Sequence, residues 1–430
     1  MSERIIFRHA LLPTGWAENV GLGFAHGVIT SIETGVSGGQ GIALPGMPNL
    51  HSHSFQRAMA GYAEHRGPGA DSFWTWREVM YKLALSLDPD DMQAIATAAF
   101  VEMLEGGFTE VAEFHYLHHA PDGRPYENIA EMAARLAAAA AETGIELLLL
   151  PVFYAYSGFG AQAPNEGQRR FVNTLESYIK LRERCQALAP TGCAPHSLRA
   201  ATLSEINQLA TLNGDAPFHI HIAEQVAEIE ACVAFCGARP VEYLHANAPV
   251  GSNWCLVHAT HITPQEAQSI ATANAVAGLC PLTEANLGDG IFPAQSYTGA
   301  YGIGSDSNVL IDAGRELQML EYSQRLGQQH RNVMATPTQR ATATALYQQA
   351  VTGGAQAMGR SAGFVVGAPA NFITLAGDTP DTALTQAVFT ARTPSVRDVW
   401  VRGQRVVENG RHYKAEKARA GLEAVQRKRL

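Results

Sequence analysis

The pattern of apolar positions divides the chain into two β-like ends and a different middle. Near the start, Ile5-Ile6-Phe7 and Gly27-Val28-Ile29-Thr30-Ser31-Ile32 are short apolar alternations punctuated by glycine. Near the finish, Ala370 to Leu375 and Val396 to Gly403 read the same way. Alternation of this kind predicts strands. Asn409-Gly410, after Gln404-Arg405-Val406-Val407, adds a turn signal. From about 45 to 360, apolar runs of strand length alternate with segments of helical period at 88–105, 127–142, 168–188, 202–211, 224–236 and 264–273. A longer helical region covers 313–359, and Asp88-Pro89-Asp90-Asp91 marks a helix start. Strand and helix in alternation predict a parallel α/β core.

Eight strand candidates end near His51, His115, Tyr154, His196, His221, His258, Leu282 and Asp306. Eight βα units are what a (β/α)8 TIM-like barrel needs, and such a barrel carries its active site at the C-terminal ends of its strands. The polar residues of these runs fall at those ends. The expected fold is therefore α/β: a barrel over 45–362, a small β-sandwich domain composed of 1–44 and 363–412, and an exposed helical tail over 413–430.

The first strand runs out into Leu50-His51-Ser52-His53. Residues two apart on extended backbone point to the same side, so His51 and His53 can offer two imidazoles to one point. Imidazole suits zinc and neighbouring metals. The fifth strand carries a second such pair, His219-Ile220-His221, with Glu224 three residues on. The sixth ends at His258, and the eighth reads Tyr301-Gly302-Ile303-Gly304-Ser305-Asp306. Together these supply enough donors for one ion with an open position. A single strand-end histidine is more often a hydrogen-bonded core residue; several on separate strands of one barrel make that reading hard to sustain.

Composition narrows the partners. Lys and Arg number 31 against 40 Asp and Glu, a net charge of −9, which argues against binding nucleic acid or anionic membranes. Six cysteines contain no Cys-x-x-Cys pair. The first residues lack a signal-type apolar run, and the longest apolar stretch, near Leu147 to Tyr156, is interrupted by Pro151 and too short to span a bilayer. A cytoplasmic protein with reduced thiols is expected.

The arrangement resembles the amidohydrolase superfamily, whose members carry His-x-His after strand one, a His on each of strands five and six, and an Asp on strand eight. Gly363 to Asn371 resembles the segment by which such chains return from barrel to sandwich. The resemblance implies His51, His53, His221 and Asp306 as metal ligands; His221 rather than His219 follows from the His-x-x-Glu motif of mononuclear deaminating members. Glu224, His258 and Asp306 are then the catalytic candidates. Glu224 can shuttle a proton, His258 can orient water and stabilise an oxyanion, and Asp306 can accept a proton, with the division among the three left open. Binuclear members use a lysine on strand four. Lys82, Lys180, Lys414, Lys417 and Lys428 all lie elsewhere, so one ion is expected: zinc, or iron or manganese.

Four further segments narrow the resemblance: residues 44–61, Phe73 to Glu78, Glu113 to Tyr116, and Ala194 to Arg199. They resemble the formimidoylglutamate deiminases of histidine degradation, which convert N-formimino-L-glutamate and water to N-formyl-L-glutamate and ammonia. The resemblance implies substrate contacts from Gln56, Tyr116, His196 and Arg199. An Arg fork suits a glutamate carboxylate, and Arg77, on the long loop after strand one, is a candidate for the second carboxylate, in its own site or a neighbouring subunit's. The group also implies a homodimer. The competing readings are a deaminase of purines, pyrimidines or nucleosides with the same metal residues, and a non-catalytic scaffold on the same fold.

Overall fold

The structure is a computed structural model that describes residues 3–66, 69, 72–390 and 395–430. The remaining positions of the three expected segments, Met1 and Ser2 among them, lie outside the described residues. Strands β1 (Glu3–Leu12), β2 (Gly15–Ala25), β3 (Val28–Glu33) and β4 (Ile42–Pro45) open the chain. Eight parallel strands follow: β5 (Met47–Ser52), β6 (Phe108–His115), β7 (Glu146–Phe153), β8 (Ala194–Pro195), β9 (Phe218–Ile222), β10 (Trp254–His258), β11 (Val276–Leu279) and β12 (Ala300–Ile303). Last come β13 (Phe372–Leu375), β14 (Val396–Val401), β15 (Gln404–Glu408) and β16 (Arg411–His412).

The eight parallel strands close into a barrel. They form two four-stranded sheets, β5 to β8 and β9 to β12, joined by parallel bridges between Cys193 and Phe218 and between Ser197 and His221 on one side, and between Ser52 and Asp306 on the other. The closing seam is tight. A Cβ on Gly304 would stand 2.7 Å from the His51 carbonyl oxygen, so only glycine lets the last strand reach the first.

Strands from both chain ends share one eight-stranded sheet, in the order β16-β15-β14-β13-β4-β1-β2-β3. It is strongly curled. Phe24 on β2 and Phe372 on β13 are three strand spacings apart, roughly 14 Å in a flat sheet, yet their rings are 6.1 Å apart. Phe7, Leu22, Ile29 and Phe364 complete the core enclosed by that curl.

Several elements depart from the sequence expectation. The region 313–359 is two helices, Ala313–Gln328 and Thr342–Ala357, separated by an irregular stretch. The helix expected over 168–188 starts at Leu175, and β11 ends at Leu279 rather than near Leu282. Arg77 stands on a helix, Phe73–Ser86, not on a loop. The tail forms the helix Ala415–Arg429, but it is docked rather than exposed: Ala418, Leu422 and Val425 are buried, and Lys428 and Arg429 pair with Asp88 and Asp91 at the start of Pro89–Glu105. Positions i, i+4 and i+7 share one helix face, which the stretch's high charge obscures. Replacing Leu422 with Ala should cost about 2 kcal/mol, at the low end for a buried leucine. A chemical denaturation midpoint equal to that of the unaltered chain would show that the tail does not contribute to stability.

Candidate active site at the strand ends

The imidazoles of His51, His53 and His221 meet at the C-terminal mouth of the barrel. His51 Nε2 lies 3.2 Å from His53 Nε2 and 3.0 Å from His221 Nε2. Asp306 Oδ1 is 3.5 Å from His51 Nε2 and 3.4 Å from His53 Nε2. Asp306 Oδ2 is 3.7 Å from His258 Nε2. All five residues are buried.

Two rings have their tautomer set from behind. His53 Nδ1–H donates to the Phe114 carbonyl at 2.8 Å, and His221 Nδ1–H donates to the His196 carbonyl at 3.0 Å. Each Nε2 therefore carries a lone pair. Two overlapping groups of donor atoms share His51, one with His53 and Asp306 and the other with His221 and His258, an arrangement suited to a cation. The nitrogen separations fit an ion bound at about 2.0–2.1 Å from each, as zinc takes. His219 lies deeper, its Nε2–H donating to the Ala357 carbonyl at 2.8 Å, so it turns away from this point. No lysine stands at the cluster: Lys180 pairs with Glu176 on its own helix.

The backbone around the cluster is tied across the barrel seam. Asn49 Nδ2 donates to Ser305 Oγ at 2.7 Å, and Ser305 N donates back to Asn49 Oδ1 at 3.0 Å. Ser305 Oγ donates to Asn308 Oδ1, and Asn308 Nδ2 to Ser52 Oγ. This buried ladder fixes β5 against the segment carrying Asp306. Ala223, His258, Asp306 and Asn308 all have positive φ, between 44° and 68°. Non-glycine residues rarely hold that conformation, and it gathers at functional sites.

Electrostatics sort these groups. Burial holds His51 at about 3 and also keeps His53 and His221 low, so all three stay neutral, as metal ligands must. Burial works to raise Asp306, but the bond to His51 and the charge of His258 hold it below the usual carboxylate range. For His258 burial is outweighed by Glu224, Glu284 and Asp306, which lift it to about 10. Glu284 contacts His258 Nδ1 at 3.3 Å. Burial raises Glu224 to about 7, a value suited to proton transfer near neutrality.

A cleft opens onto the cluster and is lined by Gln56, Arg77, Tyr116, His196, Arg199 and Glu224, among others. Gln56 Nε2 donates to the Tyr116 hydroxyl at 2.8 Å. Arg77 lies 4.4 Å above the Trp74 ring and enters the cleft of its own chain. The Nε atoms of Arg77 and Arg199 are sealed from solvent and have no hydrogen-bond partner. Of the expected site residues all but His51 line this cleft, His51 lying just beneath it against His53 and His221, while His219 points elsewhere. Glu284, Asn49, Ser305, Gln168 and Tyr81 do not stand out in the sequence, and Tyr154 does so only as the polar end of the third strand. Glu284 follows an apolar strand end that shows no polar residue of its own, and Asn49, Ser305, Gln168 and Tyr81 have no local signature.

The chain belongs to the amidohydrolase family, whose profile matches residues 42–406. Residues 3–41 match the profile described as the N-terminal domain of formimidoylglutamate deiminase HutF. The formimidoylglutamate deiminase of Pseudomonas aeruginosa is 46% identical over 445 residues, covering 98% of each chain. Among solved structures, an amidohydrolase from Brucella melitensis superposes with a TM-score of 0.97 at 51% identity over the full length of both chains. An adenosine deaminase from Xanthomonas campestris, solved with bound zinc, shares the fold at TM-score 0.80 and 19% identity, covering 99% of this chain and 98% of its own.

Metal analysis separates the two histidines of β9. His221→Ala should lower bound metal at least roughly tenfold, the scale expected when even an outer-shell partner of a metal site is removed. His219→Asn should leave metal content close to the starting value. The opposite order would assign the wrong imidazole to the cluster.

Proposed function

We propose that this chain hydrolyses N-formimino-L-glutamate to N-formyl-L-glutamate and ammonia, a step of histidine degradation. One observation carries the substrate reading: two guanidinium groups, Arg77 and Arg199, enter the cleft with partnerless Nε atoms. A sealed donor left without an acceptor is costly, and a substrate with two carboxylates supplies acceptors to both guanidinium groups. The deiminase relative and the match over residues 3–41 support the same reading.

In this reading His51, His53, His221 and Asp306 hold one divalent ion, zinc by preference of the donor set. When bound, the ion supplies a water of lowered pKa, towards about 7 for zinc, and a positive charge at the reaction centre. The rest is done by the chain's own groups. Arg199 and Arg77 grip the carboxylates in bidentate fashion. Gln56, Tyr116 and His196 donate to the remaining polar atoms and hold the formimino carbon towards the imidazole cluster. Water oxygen adds to that carbon while Glu224 takes the water's proton. Glu224 then delivers that proton to the leaving nitrogen, the remaining hydroxyl proton passes to the same nitrogen by way of Asp306 as the formyl carbonyl forms, the carbon–nitrogen bond breaks, and ammonia departs. His258, held through Nδ1 by Glu284, stands 3.8 Å from Glu224 and 3.7 Å from Asp306, where it orients the water and stabilises developing charge.

The six cysteines are free thiols, as a reducing compartment maintains. Among the described residues no helix is long and apolar enough to cross a membrane. A cytoplasmic location and a homodimer complete the reading.

Ammonia release over a small substrate panel tests it, on protein of measured metal content. N-formimino-L-glutamate should be the preferred substrate; turnover of a purine, pyrimidine or nucleoside without turnover of N-formimino-L-glutamate would replace it. Glu224→Gln should retain metal and lose roughly two orders of magnitude or more in kcat, and near-normal kcat would remove Glu224 from proton transfer. Arg199→Ala should act mainly on KM, and an unchanged KM would rule out its carboxylate role.

A further inference from the structure

The wall of the cleft beside Arg77 contains a hydrogen-bond relay that the reaction described above does not use. Gln168 is almost completely buried, at 1% exposure, and ends the short turn Glu166–Gln168. Its Oε1 accepts from the backbone N–H of Asn165 at 2.9 Å. A backbone N–H bonds only to an acceptor, so this contact fixes which end of the amide is oxygen. The amide nitrogen must then face outward. It lies 2.7 Å from the Tyr154 hydroxyl and 3.4 Å from the Tyr81 hydroxyl.

Gln168 thus gives its amide hydrogens to the two phenolic oxygens. Each tyrosine oxygen accepts, and each tyrosine proton must find an acceptor elsewhere. Among the described residues, neither hydroxyl makes another hydrogen bond. Both tyrosines line the cleft, where a bound anion would provide the acceptor. The Arg77 guanidinium lies 5.5 Å from the Tyr81 ring centre. Burial keeps the Tyr154 hydroxyl protonated well above its ordinary range, despite the opposing charges of Arg199 and Arg77 nearby.

The surrounding segment is built to hold this geometry. A Cβ on Gly167 would come 2.8 Å from Tyr81 Cδ2, so glycine lets the turn press against the ring. Arg170 donates to the carbonyls of Ala84, Leu87 and His119, which bolts the turn to the end of the helix that carries Tyr81 and Arg77.

We propose that Gln168 is a positioning residue that presents the hydroxyls of Tyr81 and Tyr154 as a paired donor site for one carboxylate of the substrate, beside the arginines. The proposal rests on the N-formimino-L-glutamate reading. It adds two contacts to that substrate and one residue that acts through them.

Steady-state kinetics with N-formimino-L-glutamate, and with an N-alkylformamidine that carries no carboxylate, test the proposal. Gln168→Leu removes the donors at similar volume. It should raise KM for the dicarboxylate about tenfold, the size expected for hydrogen bonds lost to a charged group. Its kcat should fall less than about threefold, with kcat/KM for the carboxylate-free amidine affected far less. Tyr154→Phe should produce a similar rise in KM. The double variant should be no worse than the weaker single, because both changes break one relay. Gln168→Glu, which accepts the tyrosine protons instead, should be worse than Gln168→Leu. Losses that multiply in the double variant, or equal losses on both substrates, would overturn the proposal while leaving the reaction intact. An unaltered chain that releases no ammonia from N-formimino-L-glutamate would overturn the reaction and the proposal together.

Discussion

Three imidazole nitrogens and a carboxylate oxygen stand within 3.0–3.5 Å of their neighbours at the barrel mouth. Carbonyls behind His53 and His221 take their Nδ1 protons, leaving electron pairs pointed at one another in a region shielded from water. In such surroundings this repulsion is strong. A proton can relieve one pair but not the whole cluster. A divalent cation would accept electron pairs from several of these groups at once. Everything else at this end of the molecule works around that point.

The barrel seam is what makes the convergence possible. His51 and His53 follow the first parallel strand and Asp306 the last, and they meet because Gly304 allows backbone contact and Asn49, Ser52, Ser305 and Asn308 bond across the join. A second group of elements builds the opposite wall. The helix Phe73–Ser86 and the turn at Gln168 are clamped together by Arg170, and between them they fix Arg77, Tyr81 and Tyr154. Arg77, Tyr81 and Tyr154 thus stand on a support distinct from the one that holds the imidazole cluster.

The sequence made the barrel strands legible because a strand buried on both faces reads as an unbroken apolar run, so a histidine or aspartate at its end stands out. Strand pairing then brings His51, His53, His221, His258 and Asp306 together from five positions spread over more than half the chain. Arg77 was misjudged as a loop residue, since aromatic residues around it mask the helix. The tail was read as exposed because three buried positions among many charges leave a weak periodic signal. Gln168, Glu284 and the seam residues could not be found from local pattern. Each acts through a partner tens to hundreds of residues away, and only tertiary packing makes that pairing visible.

X-ray absorption spectroscopy on the metal-loaded protein tests the central claim most directly. Convergence of His51, His53, His221 and Asp306 predicts a single ion with nitrogen and oxygen neighbours only, near 2.0–2.2 Å for zinc, and the multiple-scattering signature of three imidazoles. Cys280 lies in a neighbouring donor group with His258 and Asp306. A sulfur neighbour near 2.3 Å, or a shell with a single imidazole, would contradict the account.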